Sequence, residues 1–219
     1  MKKALILILA SLIIISSFLF VIYKPAFTGK AIVGTTLVIT LTSQSFCNIS
    51  LSPGWNLVSF PCISSNADNA EFLGNFTFSD IRTYDASDAA DPWKSYNPSL
   101  PSYVIHDLES VSRAKGYWIY VANESEFIKN GTLARPTFIA LERGWNLIGM
   151  PNLTTMDTYN AFEELIPQFD YVYLFNASEN DWKEWTWNSS LASNQDLNKT
   201  TYNFGYWIYM INESTYDVR

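Results

Sequence analysis

Two five-residue motifs occur twice in this chain and decide its fold. Residues 54–58 read Gly-Trp-Asn-Leu-Val and residues 144–148 read Gly-Trp-Asn-Leu-Ile, while residues 116–120 and 205–209 both read Gly-Tyr-Trp-Ile-Tyr. Further matches between the motifs keep the offset between 89 and 91 residues. Self-similarity at a fixed period is the signature of a duplicated structural unit. The sequence therefore predicts two tandem modules of one fold.

Each module has the residue types of a small β-structure. Trp55–Phe60 alternates apolar and polar side chains, which is typical of a half-buried strand. In the second module Asn160–Ile166 stops before Pro167, a position that favours a helix end, and the first module offers a shorter segment at Asn69–Gly74. We expect a mainly β (α+β) chain with a short helix in each module.

Six tryptophans occupy matching places in the two modules. Large aromatic side chains dominate the cores of small domains. We therefore expect these residues in the cores, and truncation of Trp118 or Trp207 to alanine should cost about 3–5 kcal/mol. The residues are Trp55, Trp93, Trp118, Trp145, Trp182 and Trp207.

An apolar segment precedes the modules. Lys2 and Lys3 are followed by an apolar run over residues 4–23, which is long enough to cross a bilayer as a helix. Bulky residues stand where a signal peptidase would cleave, so the sequence favours a retained transmembrane anchor, with a cleaved signal as the alternative. The predicted domains are an anchor at 1–23, a spacer with a strand at 24–45, module 1 at 46–134 and module 2 at 135–219.

The charge balance excludes one class of partner. Residues 1–30 contain four lysines and no acid, so residues 31–219 carry 10 bases and 21 acids, a formal charge of −11. So acidic a surface repels phosphate backbones, and we expect no nucleic-acid binding. Aromatic and charged residues each make up 16% of the chain, a balance that argues against disorder.

The two cysteines indicate an oxidising compartment. Cys47 and Cys62 would close a loop of about 15 residues if bridged, and such a bridge contributes on the order of 3 kcal/mol. Two cysteines alone cannot form a structural zinc site. We expect a disulfide, with two buried free thiols as the alternative, and a disulfide implies an extracytoplasmic location.

Asparagine glycosylation sequons point the same way. Half of the 18 asparagines stand in the pattern Asn-x-Ser/Thr. This excess favours an exported glycoprotein, although asparagine, serine and threonine also cluster together in turns. The candidate sites are Asn48, Asn75, Asn123, Asn130, Asn152, Asn176, Asn188, Asn198 and Asn212.

The order of the motifs resembles a known kind of surface protein. Gly-Trp-Asn-Leu, then a tryptophan-containing hairpin, then Gly-Tyr-Trp-Ile is similar to tandem modules of secreted and surface-attached archaeal and some bacterial proteins, over residues 50–217. Those modules are largely uncharacterised. The resemblance implies a surface location and supplies no functional residues.

Trp185 and Trp187 are the candidate binding residues. Module 1 has Ser95 and Tyr96 in the corresponding stretch, and residues two apart on a strand share a face. If exposed, the pair would suit stacking on sugar rings. The alternative is that both belong to the core or to a contact between modules.

No catalytic motif stands out. Asp85, Asp88 and Asp91 recur every third residue, a weak calcium pattern without the full ligand series of a calcium loop. His106 is the only histidine and has no counterpart in module 2. We expect no cofactor and no enzymatic activity.

These observations predict a single-pass protein held in the cell membrane through residues 4–23, with its modules outside. Its predicted function is that of a structural or interaction protein of the envelope, with surface proteins or envelope glycans as partners. The alternatives are a carbohydrate-binding module and a protein secreted after signal cleavage.

Overall fold

The structure, a computed structural model, describes residues 44–63, 66–101, 103–132, 137–151, 154–192 and 194–218. All of them belong to one compact unit, Leu41–Arg219. The predicted anchor at 1–23 and most of the predicted spacer at 24–45 lie outside these ranges. In the part described, no helix has the length and apolar character needed to cross a membrane.

The chain is mainly β, as predicted. In module 1 the strands are β1 (Gln44–Leu51), β2 (Gly54–Ser59), β3 (Ala67–Asp68), β4 (Asp80–Tyr84), β5 (Trp93–Tyr96), β6 (Ser110–Val111), β7 (Gly116–Val121) and β8 (Ser125–Thr132). Helix α1 (Asn69–Leu73) follows β3. The strands form an antiparallel sheet in the order β2-β7-β4-β5 and two-stranded pairs β1-β8 and β3-β6.

Module 2 has the same elements. Its strands are β9 (Thr137–Leu141), β10 (Gly144–Gly149), β11 (Met156–Asp157), β12 (Phe169–Asn176), β13 (Asp181–Trp185), β14 (Lys199–Thr200), β15 (Gly205–Met210) and β16 (Ser214–Val218). Helix α2 (Thr158–Phe162) continues into a 3₁₀ turn, Glu163–Leu165. The sheet order is β10-β15-β12-β13, with pairs β16-β9 and β11-β14.

The two modules therefore share strand order and register. Trp55 pairs with Tyr120 across β2 and β7, and Trp145 pairs with Tyr209 across β10 and β15. Among the residues described, each module keeps its own sheets and exchanges no strand with the other. The ribbons β1-β8 and β9-β16 each join two strands of one module.

The Gly-Trp-Asn motif builds the turn that precedes β2 and β10. Gly54 and Gly144 have φ of +101° and +98°, a conformation that glycine adopts without the penalty of a Cβ. The Asn56 side chain accepts a hydrogen bond from the Ser52 amide at 2.9 Å and donates to the Ser52 carbonyl at 2.8 Å. Asn146 repeats both bonds on Glu142. The buried asparagines therefore have a structural role.

The Gly-Tyr-Trp-Ile motif anchors a second turn from inside the core. Tyr117 is fully buried, and its hydroxyl accepts from the Ser112 amide at 2.6 Å. Tyr206 does the same for Thr201 at 2.8 Å. Burial raises the pKa of both tyrosines, so each hydroxyl stays protonated and tied to its turn.

One face of each sheet covers a separate apolar core. In module 1 this core contains Val58, Phe60, Tyr117 and Ile119, and it includes the disulfide between Cys47 and Cys62. The predicted disulfide is thus confirmed. Module 2 has an equivalent core with Met150 in the place of Phe60.

The modules meet through reciprocal contacts. The Ser59 amide donates to the Asn203 carbonyl at 3.0 Å, and the corresponding Gly149 amide donates to the Ala114 carbonyl at 2.9 Å. Such paired contacts are those of a two-fold interface, here between two halves of one chain.

Candidate functional site: an aromatic cleft between the modules

The face of each sheet that points away from the core carries the six tryptophans that occupy matching places in the two modules. Because side chains alternate along a strand, Asn56 and Val58 face the core, and Trp55 and Leu57 face the other way. Leu57 and its counterpart Leu147 are buried at the contact between the modules. One face of each sheet therefore packs on the core, and part of the other face packs against the second module.

This geometry corrects the prediction that six tryptophans form the cores. Trp93, Trp145 and Trp182 are 44%, 40% and 45% exposed. The other three are half-buried: Trp55, Trp118 and Trp207. Their strand positions put all six on the face opposite the cores, where they form a cleft.

The aromatic rings pack across the boundary between modules. Trp118 of module 1 contacts Phe175 and Trp182 of module 2, with ring centroids 5.3 and 5.8 Å apart. Its counterpart in module 2 is Trp207. Trp207 contacts Tyr84 and Trp93 of module 1, with ring centroids 5.3 and 5.9 Å apart.

The aromatic cleft contains two pockets. The module-2 pocket has a volume of about 410 Å³ and is lined by Tyr84, Trp145, Tyr173, Trp182 and Trp207. It draws one ring from module 1 and four from module 2. Every lining side chain is aromatic, so the pocket offers ring faces and edges to a ligand.

The module-1 pocket lies beside it and shares Trp182. Its volume is about 500 Å³, and its lining is Trp55, Arg82, Trp93, Trp118, Phe175 and Trp182. Most of these residues are the duplicates of residues in the module-2 pocket. The cleft is thus built twice from one pattern.

The two pockets differ at one informative place. Arg82 occupies in module 1 the position that Tyr173 has in module 2. The Arg82 guanidinium carbon lies 5.2 Å from the centre of the Trp55 ring, a cation–π contact. Asp80 holds the guanidinium there through an ion pair of 2.6 Å.

A carboxylate lies behind the module-2 pocket. The Tyr173 hydroxyl donates to a carboxylate oxygen of Glu184 at 2.8 Å, and Glu184 is buried. Burial, together with this hydrogen bond and the Glu184 charge, raises the pKa of Tyr173 to about 12. Tyr173 therefore remains a neutral donor to Glu184 at physiological pH.

The predicted pair Trp185 and Trp187 does not form an exposed face. Trp185 pairs with Val172 on the core side of the sheet, is only 9% exposed, and stacks near Phe169. Strand β13 ends at Trp185, and the half-buried Trp187 packs on the core with its indole N–H hydrogen-bonded to the Phe169 carbonyl. This placement fits the alternative, core packing, and not a sugar platform at these two residues.

The remaining polar candidates lie apart from the cleft pockets. Lys94 pairs with Asp88 at 2.8 Å and with Asp91 at 3.3 Å, whereas Asp85 pairs with Lys115 at 2.6 Å. The three aspartates therefore divide between two lysines. Among the residues described, no group of three or more His, Cys, Asp or Glu side chains is placed to hold a metal ion. His106 accepts a long hydrogen bond from the Asn97 amide and packs against a tyrosine.

Most sequons are accessible. Those of Asn176 and Asn188 are half-buried, and that of Asn152 lies outside the described residues. The exposed ones are Asn48, Asn75, Asn123, Asn130, Asn198 and Asn212.

Comparisons with protein-family models, with curated proteins and with solved structures found no match to this chain.

A signal for the cleft was present in the sequence. The run Tyr117-Trp118-Ile119-Tyr120 is apolar or aromatic at successive positions, which is typical of a strand covered on both faces. Alternation in Trp55–Phe60 obscured this, because Asn56 is a buried turn-forming residue and not a solvent-facing one.

Proposed function

We propose that this chain is a membrane-anchored protein of the cell surface that binds a partner through the aromatic cleft and catalyses no reaction. The cleft is the observation that carries the proposal. Exposed tryptophans from both modules form one continuous surface, and clustered exposed aromatic rings are typical of binding sites.

The chemistry of the cleft suits binding better than turnover. The described residues that line its pockets are aromatic apart from Arg82, which already pairs with Asp80. General acid–base catalysis needs a titratable group within hydrogen-bond reach of the substrate. The lining of the module-2 pocket offers ring surface instead.

Several observations support the surface location. The disulfide Cys47–Cys62 favours an oxidising compartment. The apolar run at residues 4–23 supplies the proposed anchor, and the exposed sequons would lie on the same, extracytoplasmic side. Secretion after signal cleavage is the alternative, and the resemblance to surface modules of archaea agrees with either location.

Carbohydrate binding is the second candidate function, and it would use tryptophans of the cleft instead of Trp185 and Trp187. Trp93, Trp145 and Trp182 present exposed ring surface, and an indole face can lie along the C–H face of a pyranose. Arg82 and Asp80 add charged groups at the module-1 pocket.

Array binding distinguishes the two candidates. Full-length protein in detergent would be applied to peptide and glycan arrays beside a Trp145→Ala/Trp182→Ala variant. The control is Tyr103→Ala, which removes an 83% exposed aromatic residue from outside both pockets. Circular dichroism and melting temperature would verify that each variant is folded.

We expect peptide binding that the double variant loses and the control keeps. Binding to glycans alone that the double variant loses would mean that the cleft recognises a carbohydrate and not a protein. Binding that survives in the double variant, or no binding on either array, would overturn the assignment of function to the cleft.

A further inference from the structure

We propose that the module-2 pocket binds the guanidinium group of an arginine side chain on a partner polypeptide. This inference rests on the proposed function and names the group that the cleft recognises. Duplication supplies the observation behind it, because one of the two matching pockets has a cation over its tryptophan ring and the other has none among its lining residues.

The pocket with its own cation is in module 1. Arg82 extends from β4 and places its guanidinium over the Trp55 ring. In module 2 the counterpart of Trp55 is Trp145, but the counterpart of Arg82 is Tyr173. The lining of the module-2 pocket accordingly keeps the aromatic surface and contains no cation of its own.

The walls of the module-2 pocket match a guanidinium. Aromatic ring faces attract cations through their quadrupole, and a planar, weakly hydrated guanidinium stacks on them more readily than an ammonium does. Five rings surround this pocket, and Trp145 and Trp182 at its mouth are partly exposed. A side chain can therefore enter while its backbone stays outside.

Charge adds a second reason. The Tyr173 hydroxyl donates a hydrogen bond to the Glu184 carboxylate. This bond makes the Tyr173 ring more electron-rich, and the carboxylate places a negative charge behind the pocket wall. Residues 31–219 carry a formal charge of −11. A basic partner would therefore be attracted to this surface over a distance and held at the pocket by contact.

The test compares arginine with its neutral isostere. Full-length protein labelled at the indole nitrogens would be titrated with a blocked tripeptide that contains arginine, and with the same peptide containing citrulline. One side chain binds weakly, so Kd on the order of millimolar is expected. We expect citrulline to bind at least about fivefold more weakly, since it lacks the charge that the rings attract.

A matched pair of variants locates the site. Trp145→Ala should abolish the shifts of the indole resonances. Trp55→Ala, the same change at the duplicated position, should leave arginine binding intact, because Arg82 already takes the cation position over the Trp55 ring. Arg82→Tyr should remove this internal cation and raise the number of bound peptides from one to two. Folding of each variant would be checked by its melting temperature.

Equal binding of the arginine and citrulline peptides would overturn the inference, and so would loss in Trp55→Ala but not in Trp145→Ala. If neither tripeptide binds while the arrays still show binding through the cleft, the arginine proposal fails and the proposed function stands. If the arrays show no cleft binding either, both fail.

Discussion

At the scale of the residue, each repeated motif places side chains on both faces of a sheet. In Gly-Trp-Asn-Leu, glycine and asparagine make the turn, tryptophan faces the cleft, and leucine packs against the other module. In Gly-Tyr-Trp-Ile, tyrosine and isoleucine fill the core while tryptophan again faces the cleft. Identical residues in two copies therefore reflect both folding and the cleft.

Asn146→Ala should destabilise the protein by about 2–3 kcal/mol. The amide side chain makes three hydrogen bonds to backbone groups of Glu142 and Gly144, each with a net contribution of about 0.5–1.5 kcal/mol. Urea unfolding would measure the loss. Asn123→Ala, at an exposed position, serves as control, and equal stability of the two variants would contradict the turn-forming role.

Asp85→Asn should change how stability depends on pH. Partial burial of Asp85 is outweighed by hydrogen bonds from Lys115 and Ser87, and its pKa falls to about 2. A lowered folded-state pKa stabilises the fold above the unfolded value of about 3.9, and this contribution disappears as pH falls through 2.

The Asp85 variant should therefore be less stable by about 1 kcal/mol at pH 7, a figure reduced for the partial exposure of the pair, and the difference from wild type should shrink as pH falls toward 2. Unfolding in urea between pH 7 and pH 2 would show the convergence. Asp91→Asn on the same loop controls for the change in net charge. A difference as large at pH 2 as at pH 7 would contradict this origin.

At the scale of the element, prediction succeeded where local signals were strong. The strands at the repeated motifs, the helix near Asn160 and the disulfide were all readable, because periodicity, a following proline and cysteine spacing are local properties. The aromatic cleft was missed, since it depends on which face of a sheet meets the other module. That Trp185 lies on the core face follows from its pairing with Val172, which local sequence does not specify.

Gly205→Ala should disturb the contact between the modules. A Cβ on Gly205 would lie 2.9 Å from the Val58 carbonyl oxygen and 3.1 Å from the Gly116 Cα, so backbone would have to move. Overpacking of this kind costs about 1–3 kcal/mol. We expect a lower melting temperature and a changed near-ultraviolet circular dichroism signal from the cleft tryptophans.

Gly144→Ala provides the contrast for Gly205→Ala. It has open space around the added methyl group but a φ of +98°, so its cost is local backbone strain. An unchanged tryptophan signal is expected for this variant. An unchanged signal in Gly205→Ala as well would mean that the modules do not depend on this close approach.

At the scale of the whole molecule, the two modules behave like the subunits of a dimer joined in one chain. Reciprocal hydrogen bonds, two buried leucines and matched ring contacts cross the boundary between them. The sequence predicted two modules from the repeat, but it could not show that they share an aromatic cleft. Residues about 90 positions apart form that cleft.

A chain cut between Thr132 and Thr137 should stay assembled. The disulfide lies within module 1, so only non-covalent contacts would hold the halves together. We expect a protease site introduced there to yield two fragments that elute together in native size-exclusion chromatography and separate in denaturant. Fragments that separate under native conditions would show that the interface is too weak to act as a dimer contact.

The unequal pockets have an evolutionary consequence. In a dimer of identical subunits, every substitution appears on both sides of the axis, so both pockets would carry the same residue where Arg82 and Tyr173 now stand. Joined in one chain, the halves inherit changes independently. One half can then keep a charged side chain beside its tryptophan while the other half carries a neutral one.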